Sequence, residues 1–264
     1  MTNKPPKLSI ITVSLNSAAT IGATINSILN QTFTDFEYLV LDGGSIDGTV
    51  EILQANSEHG KLIYNSEKDN GIYDAMNKGL KQARGEWIYF IGSDDVLYSE
   101  DVLEKIFAMD SADAQVIYGN VQLLHSGKIY DGLFDHEKLS QNNICHQAMF
   151  VKKSLYERIG GFSTKYPIAA DYEFNMKWMG MGIPSFYSAE TVAIYNEQGL
   201  SFDVWDKQFH FDRDILLVQH GIVCKRSFDY LKQKNQQLVN SQRFRIGDRI
   251  VSPIAKIVAL LKKR

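Results

Sequence analysis

The sequence predicts an α/β fold, with a mostly parallel central sheet, helices on both of its faces and a helical tail at the C-terminal end. Two observations predict it. Runs rich in β-branched and apolar residues alternate with segments of helical periodicity over the first hundred residues. Apolar residues make up 44% of the 264 positions and charged residues 22%, enough to bury a sizeable core.

The elements follow in order. Leu8 to Val13 reads as a buried strand, and Ile21, Ile25, Ile28 and Leu29 then recur at helical spacing. Phe36 to Leu41 is a second strand, ending at Asp42-Gly43-Gly44. Thr49 to Ala55 is helical, and Lys61 to Tyr64 is a short third strand. Ile72, Met76, Leu80 and Ala83 mark a helix that Gly85 ends, as a glycine past a helix commonly does. Glu86 to Ile91 is the fourth strand. This β-α-β-α-β-α-β order implies a mostly parallel sheet, and such sheets bind ligands beyond the carboxyl ends of their strands. The second half is more mixed: strands at Gln115–Tyr118 and Gln147–Val151, helices at Tyr172–Trp178 and Val204–Val218.

Bulk properties narrow the function. A formal net charge of -3 does not favour nucleic acid. Two cysteines, Cys145 and Cys224, do not make a disulfide framework and fit a reducing compartment. The N-terminal segment does not read as a signal peptide, and no stretch approaches the roughly 20 apolar residues of a bilayer span. The expected location is the cytoplasm.

The residues that can carry chemistry lie just after the strands. Asp94 and Asp95 are adjacent carboxylates, tolerable when solvated or when a cation sits between them and a phosphate. Mg²⁺ and Mn²⁺ take oxygen ligands of this kind. Asp42 stands where an acceptor for a base or ribose is expected, and Gly43 and Gly44 permit close approach. Asp47 and Thr49 read as caps of the next helix. Asp69-Asn70-Gly71 opens the third helix, whose N-terminus can face phosphate or ribose oxygens. Asn77 and Lys78 in that helix also suit a plain surface. Asp171 opens a later helix and by itself reads as a cap. His146 is read equally as a contact to donor, metal or acceptor and as a hydrogen-bonded core residue. Tyr73, Trp178 and Trp205 suit an acceptor-sugar platform, although aromatics at such spacings are usually core.

Taken together, Thr12, Ser14 and Asn16 at the first strand, Asp42-Gly43-Gly44-Ser45-Ile46-Asp47-Gly48-Thr49 after the second, then Gly71, Ala75, Asn77, Gly79, Ala83 and Gly85, and finally Asp94-Asp95, resemble the family 2 inverting glycosyltransferases of bacterial polysaccharide biosynthesis. The likeness runs over residues 7 to about 200. It continues through His146-Gln147-Ala148-Met149-Phe150, Gly160-Gly161-Phe162 and Ala169-Ala170-Asp171-Tyr172-Glu173. It implies a GT-A fold with a Rossmann-like sheet. It further implies a nucleotide-sugar donor, a UDP-sugar first among them, contacted by Thr12, Ser14, Asn16, Asp42, Asp69, Gly71, Asn77 and Asp94. A divalent metal, Mn²⁺ or Mg²⁺, is implied at Asp95 and Asp94, with Asp95 the direct ligand. Asp171 is implied as the base that takes the proton of an acceptor hydroxyl on a glycan or lipid-linked sugar, in cell-surface polysaccharide biosynthesis. Leu15 stands where relatives often carry an aromatic.

Two other readings are a sugar nucleotidyltransferase and a non-catalytic nucleotide-sugar or glycan-binding module. The first usually needs a Gly-rich basic loop after the first strand, which Asn16-Ser17-Ala18-Ala19 does not provide. Donor turnover separates the second.

The expected organisation is one domain over 1–220, with a nucleotide-sugar-binding half (about 1–97) and an acceptor-binding half (about 98–220), followed by a tail over 221–264. Residues 242–264 hold seven basic residues and one acid. Ser252-Pro253 starts a helix there, and Ile254, Ile257, Val258 and Leu261 form its stripe. This basic amphipathic helix suits the anionic inner face of a cell membrane or a protein surface.

Overall fold

A computed structural model describes residues 4–58, 60–130, 132–199 and 205–240. The basic amphipathic segment expected at 242–264 lies outside them.

The first half follows the expected alternation: β1 (Leu8–Ser14), α1 (Ile21–Leu29), β2 (Phe36–Asp42), α2 (Thr49–Ser57), β3 (Leu62–Ser66), α3 (Ile72–Gln82) and β4 (Trp87–Phe90). These four strands are all parallel, in the order β3-β2-β1-β4. Period-2 alternation splits each strand between two cores. Ile10, Tyr38 and Val40 face α1, α2 and a short helix α4 (Val102–Ala108). Ile11, Leu39 and Leu41 face α3. The glycine inside α3 has a steric reason: a Cβ on Gly79 would stand 2.7 Å from Cγ2 of Ile11, so the helix rests directly on β1.

The second half extends the same sheet with mixed directions. It comprises β5 (Val96–Leu97), β6 (Val116–Leu123), β7 (Ile129–Tyr130), α5 (His136–Leu139), a 3₁₀ turn (His146–Ala148), β8 (Met149–Lys152), α6 (Lys153–Ile159), α7 (Ala170–Gly180), β9 (Ser185–Tyr195), α8 (Lys207–Gln219) and α9 (Lys225–Asn240). β8 joins β4 antiparallel, β6 joins β8 antiparallel, and β9 runs parallel to β6. The sheet order is β3-β2-β1-β4-β8-β6-β9-β5. The long strand β9 is absent from the sequence reading. Its residues are mostly half-buried and include Ser188, Glu190 and Thr191, so no clean apolar period marks it. Helix α7 is buried at eight of its eleven positions and lies within the core that α8 completes. Ile222 and Cys224 belong to that core too, so the compact unit continues past residue 220.

Candidate active site

The chain leaves β1 to build β2 and β3 on one side, then returns to build β4 on the other. This is the switch point of a parallel sheet, where a crevice opens past the strand ends. The loops after β1 and β4 meet there, Ser17 Oγ lying 2.8 Å from Ser93 Oγ.

The loop after β2 is held by Asp42, whose buried carboxylate accepts from Ser14 Oγ (3.0 Å), Gly44 N–H (3.1 Å), Ser45 N–H (2.9 Å), Ser45 Oγ (2.5 Å) and Ser66 Oγ (2.7 Å). Burial alone would raise its pKa, but the bonds from Ser45, Ser66 and Ser14 outweigh burial and hold it below the ordinary carboxylate value. Asp42 thus organises the loop after β2. Asn16 ties the same loop to β1, its N–H donating to Ser45 Oγ and its Oδ1 accepting from Ile46 N–H. Its φ of 51° is one that asparagine tolerates better than most residues. Asp47 accepts from Thr49 and from Ala18 N–H, holding the start of α2 against the loop after β1. Asp69 accepts from Gly71 N–H (2.8 Å) at the head of α3. A Cβ on Gly43 would meet Asp69 Oδ2 at 2.7 Å, which packs these two loops together. Leu15 is exposed on the same rim.

Two expected nucleotide contacts lie elsewhere. Thr12 is fully buried and accepts from Tyr38 Oη (3.1 Å) on the inner face of the sheet, because strand alternation turns it into the core. Asn77 spends its amide on the loop before α7, donating to Phe162 O (2.8 Å) and accepting from Phe162 N–H (2.9 Å).

The two carboxylates after β4 differ sharply. Asp95 is 1% exposed, and its oxygens accept from Asn196 N–H (2.8 Å) and Gln147 Nε2 (2.9 Å). Burial first, and then the adjacent Asp94 charge, push its carboxyl up to about 6, against those two bonds. Asp94 is half-buried, and among the described residues its carboxylate accepts one bond, from Asn196 Nδ2 (3.0 Å). Asp95, expected as the direct metal ligand, thus has each oxygen engaged by a donor from a distant segment. Asp95 is turned inward and braces the site, whereas Asp94 stays half-buried just past the end of β4.

Asp171 is the second residue of α7 and is 9% exposed. Its Oδ1 accepts from Tyr172 N–H (2.8 Å) and lies 2.9 Å from Tyr73 Oη, whose single proton it shares with the Ile168 carbonyl (2.8 Å), and its Oδ2 accepts from Asn143 Nδ2 (2.8 Å). Burial and the Asp171 charge push the Tyr73 phenol well above its ordinary value, so this hydroxyl stays a donor. Tyr73 and Trp178 are both buried, which removes them as sugar platforms, while Trp205 is exposed.

The 3₁₀ turn before β8 joins the two carboxylate groups. Gln147 reaches Asp95, and the neighbouring His146 places Nδ1 3.5 Å from Asp171 Oδ2 with its side chain 27% exposed. Asn143 and Asn196 escaped sequence reasoning, and Gln147 figured only in the resemblance, without a role. Asn196 obeys the rule that found the others, a polar residue just past a strand, but its strand β9 was itself invisible.

The arrangement sets half-buried Asp94 beside the loops after β1 and β4 and a second, braced carboxylate, Asp171, across the turn. The family model for glycosyl transferase family 2 matches residues 9–159. A PGL/p-HBAD biosynthesis glycosyltransferase of Mycobacterium bovis BCG is 38% identical over 211 residues, covering 77% of this chain and 82% of that protein. The chondroitin synthase of Escherichia coli is 30% identical over 186 residues, covering 67% of this chain and 27% of that protein. Among solved structures, S. aureus TarS 1-349 in complex with UDP-GlcNAc superposes with a TM-score of 0.66 at 18% identity, covering 90% of this chain and 77% of that one. The mannosyltransferase PcManGT of Pyrobaculum calidifontis, in complex with GDP-Man and Mn²⁺, gives 0.61 at 21% identity, covering 83% and 64%. These two share the fold. Its switch-point crevice and mixed sheet are those of the GT-A glycosyltransferases, and with the family match spanning more than half its length the chain belongs to glycosyl transferase family 2.

Proposed function

We propose that this glycosyltransferase moves a sugar from a UDP-sugar to a hydroxyl of a glycan or lipid-linked acceptor, with inversion at the anomeric carbon. One observation carries the reading. The turn His146–Ala148 links the Asp94-Asp95 loop to Asp171, so a donor-side carboxylate and a candidate base flank one cleft. A single displacement needs that layout, with a leaving diphosphate on one side and a base for the attacking hydroxyl on the other.

Asp171 is the base of this scheme. Tyr73, Tyr172 and Asn143 surround Asp171, and Oδ2, which faces His146 Nδ1 at 3.5 Å, is the oxygen that takes the acceptor proton in this scheme. Asp42, Asn16, Ser14 and the glycines shape the nucleotide loop, which fixes the donor's geometry. Asp69 and Gly71 border it.

The donor set also fits a hard cation. Asp94 offers carboxylate oxygen, and Mg²⁺ or Mn²⁺ commonly takes one or two protein carboxylates with the rest from diphosphate and water. No cluster of three His, Cys, Asp or Glu exists among the described residues, in keeping with a cation shared with the substrate. When bound, such an ion neutralises charge on the departing diphosphate. The choice of UDP follows the sequence resemblance and the UDP-GlcNAc held by TarS. The GDP-Man held by PcManGT makes GDP the control. Among the described residues no helix is long and apolar enough to cross a membrane. We place the enzyme in the cytoplasm, with residues 242–264 on the membrane's inner face.

Calorimetry with UDP, GDP and dTDP, with and without Mn²⁺, tests the donor side. UDP is expected to bind best, in a metal-dependent way that Asp94→Ala abolishes. Asp171→Asn should bind UDP as the wild type does but lose transfer by about 10²–10⁴-fold. A product with retained anomeric configuration would sink the displacement scheme.

A further inference from the structure

Behind Asp171 lies a buried chain of amides that the scheme above does not use. Asn143 Nδ2 donates to Asp171 Oδ2 at 2.8 Å. Asn175 Nδ2 donates to Asn143 Oδ1 at 2.8 Å and to the carbonyl of Ile144 at 3.0 Å. Trp178 Nε1 donates to Asn175 Oδ1 at 2.9 Å. Asn175 and Trp178 are each 1% exposed.

The direction of this chain is fixed by its chemistry. An indole N–H can only donate, so the Asn175 atom facing it is the oxygen. The Asn175 NH₂ must then face the other way, and the Ile144 carbonyl, which can only accept, agrees. Asn143 therefore turns its oxygen to Asn175 and its NH₂ to Asp171. Two end points, an obligate donor and an obligate acceptor, leave no other consistent orientation.

We propose that Trp178, Asn175 and Asn143 form a positioning relay that presents an N–H to Asp171 Oδ2 and keeps that oxygen an acceptor. The inference rests on the reading of Asp171 as the base and adds residues that act through it. Without the relay, Asn143 is free to turn its carbonyl toward the carboxylate. Asp171 would then be ionised only at the cost of facing another acceptor, and would hold a proton instead. Helical spacing explains the economy of the device: Asp171, Asn175 and Trp178 sit at i, i+4 and i+7 on α7, one stripe of one helix. Other ionisable groups bear on the same carboxylate: Tyr73 from α3, Tyr156 from α6, Tyr172 from α7 and His146 from the 3₁₀ turn. Asp206, ahead of α8, bears on Tyr73.

The test needs no substrate. The full chain is labelled with [¹³Cγ]aspartate, and the Asp171 resonance is assigned by its loss in Asp171→Asn. In Asn143→Leu, which removes the donor at similar volume, that resonance should titrate at a pH at least one unit higher than in the wild type, a tenfold change in proton affinity. Trp178→Phe keeps a buried aromatic ring and removes the distant N–H together with the pyrrole ring that carries it. It should move the titration the same way by a smaller amount. A folded Asn143→Leu with an unmoved titration overturns the relay. If that variant does not fold, an unmoved titration in Trp178→Phe does so. The assignment of Asp171 as base fails separately, by full transfer activity in Asp171→Asn, and that result leaves the titration arm readable.

Discussion

Replacing Asp95 by asparagine should stabilise the protein near neutral pH. The carboxylate is 1% exposed beside a second acid, and its pKa rises from 3.8 to about 6. The native state therefore holds the Asp95 proton more tightly than the unfolded chain does. Stability from this group is present below about pH 4 and is lost as pH rises through about 6. A rise of that size corresponds to about 3 kcal/mol, an upper figure because the cost is shared with Asp94. An asparagine at this position keeps the bond from Asn196 N–H. A turn of the Gln147 amide restores the other bond, with its oxygen accepting from the new NH₂. The expected gain is about 1–3 kcal/mol at pH 7.5 and close to zero at pH 4. Urea unfolding of wild type and Asp95→Asn at both pH values, in chelator to exclude divalent metals, measures it. A gain equal at both pH values, or a loss at pH 7.5, would refute the argument that a buried charge is being held at a cost.

Two further perturbations test the frame around the site. Glu37 is nearly buried and accepts from Ser9 Oγ, Arg84 N–H and Arg84 Nε; these bonds outweigh burial and lower its pKa. Its contribution is present above its ordinary value of 4.5 and is lost as pH falls through the lowered one. Glu37→Gln should therefore cost about 1–3 kcal/mol at pH 7, and the difference from wild type should vanish in acid unfolding experiments. A Cβ on Gly85 would stand 2.4 Å from Ser9 N and 2.7 Å from the carbonyl carbon of Leu8. Gly85→Ala must displace the β1 backbone and should cost at least about 1–3 kcal/mol in thermal unfolding. An unchanged melting temperature would contradict that packing.

Gly85 also shows where sequence reading stops. Its place after a helix suggested a C-terminal cap, yet α3 ends at Gln82, and Gly85 serves a contact with a strand some 76 positions earlier. The same boundary divides the active site. The alternation of elements, the parallel β1–β4 sheet and the polar residues at its strand ends were legible, because each depends on local periodicity and on turn chemistry within a few residues. Asp42, Asp94, Asp95 and Asp171 were singled out on those grounds and on the family resemblance. What each does with its oxygens was not legible. Thr12 and Asn77 sit in the right segments but point inward, a matter of strand parity and helix phase against the neighbouring layer. Asp95 and Asp94 are neighbours in sequence, yet only tertiary packing decides that Asn196 and Gln147, 101 and 52 positions from Asp95, bury one under two donors and leave the other half-buried with a single bond from the Asn196 side chain. The sequence by itself determined the fold class, the crevice and the acids around it. Hydrogen bonds between distant segments decided which acid is buried and which is half-buried, because a carboxylate's role depends on the donors that surround it, and those come from strands and turns with no local signal.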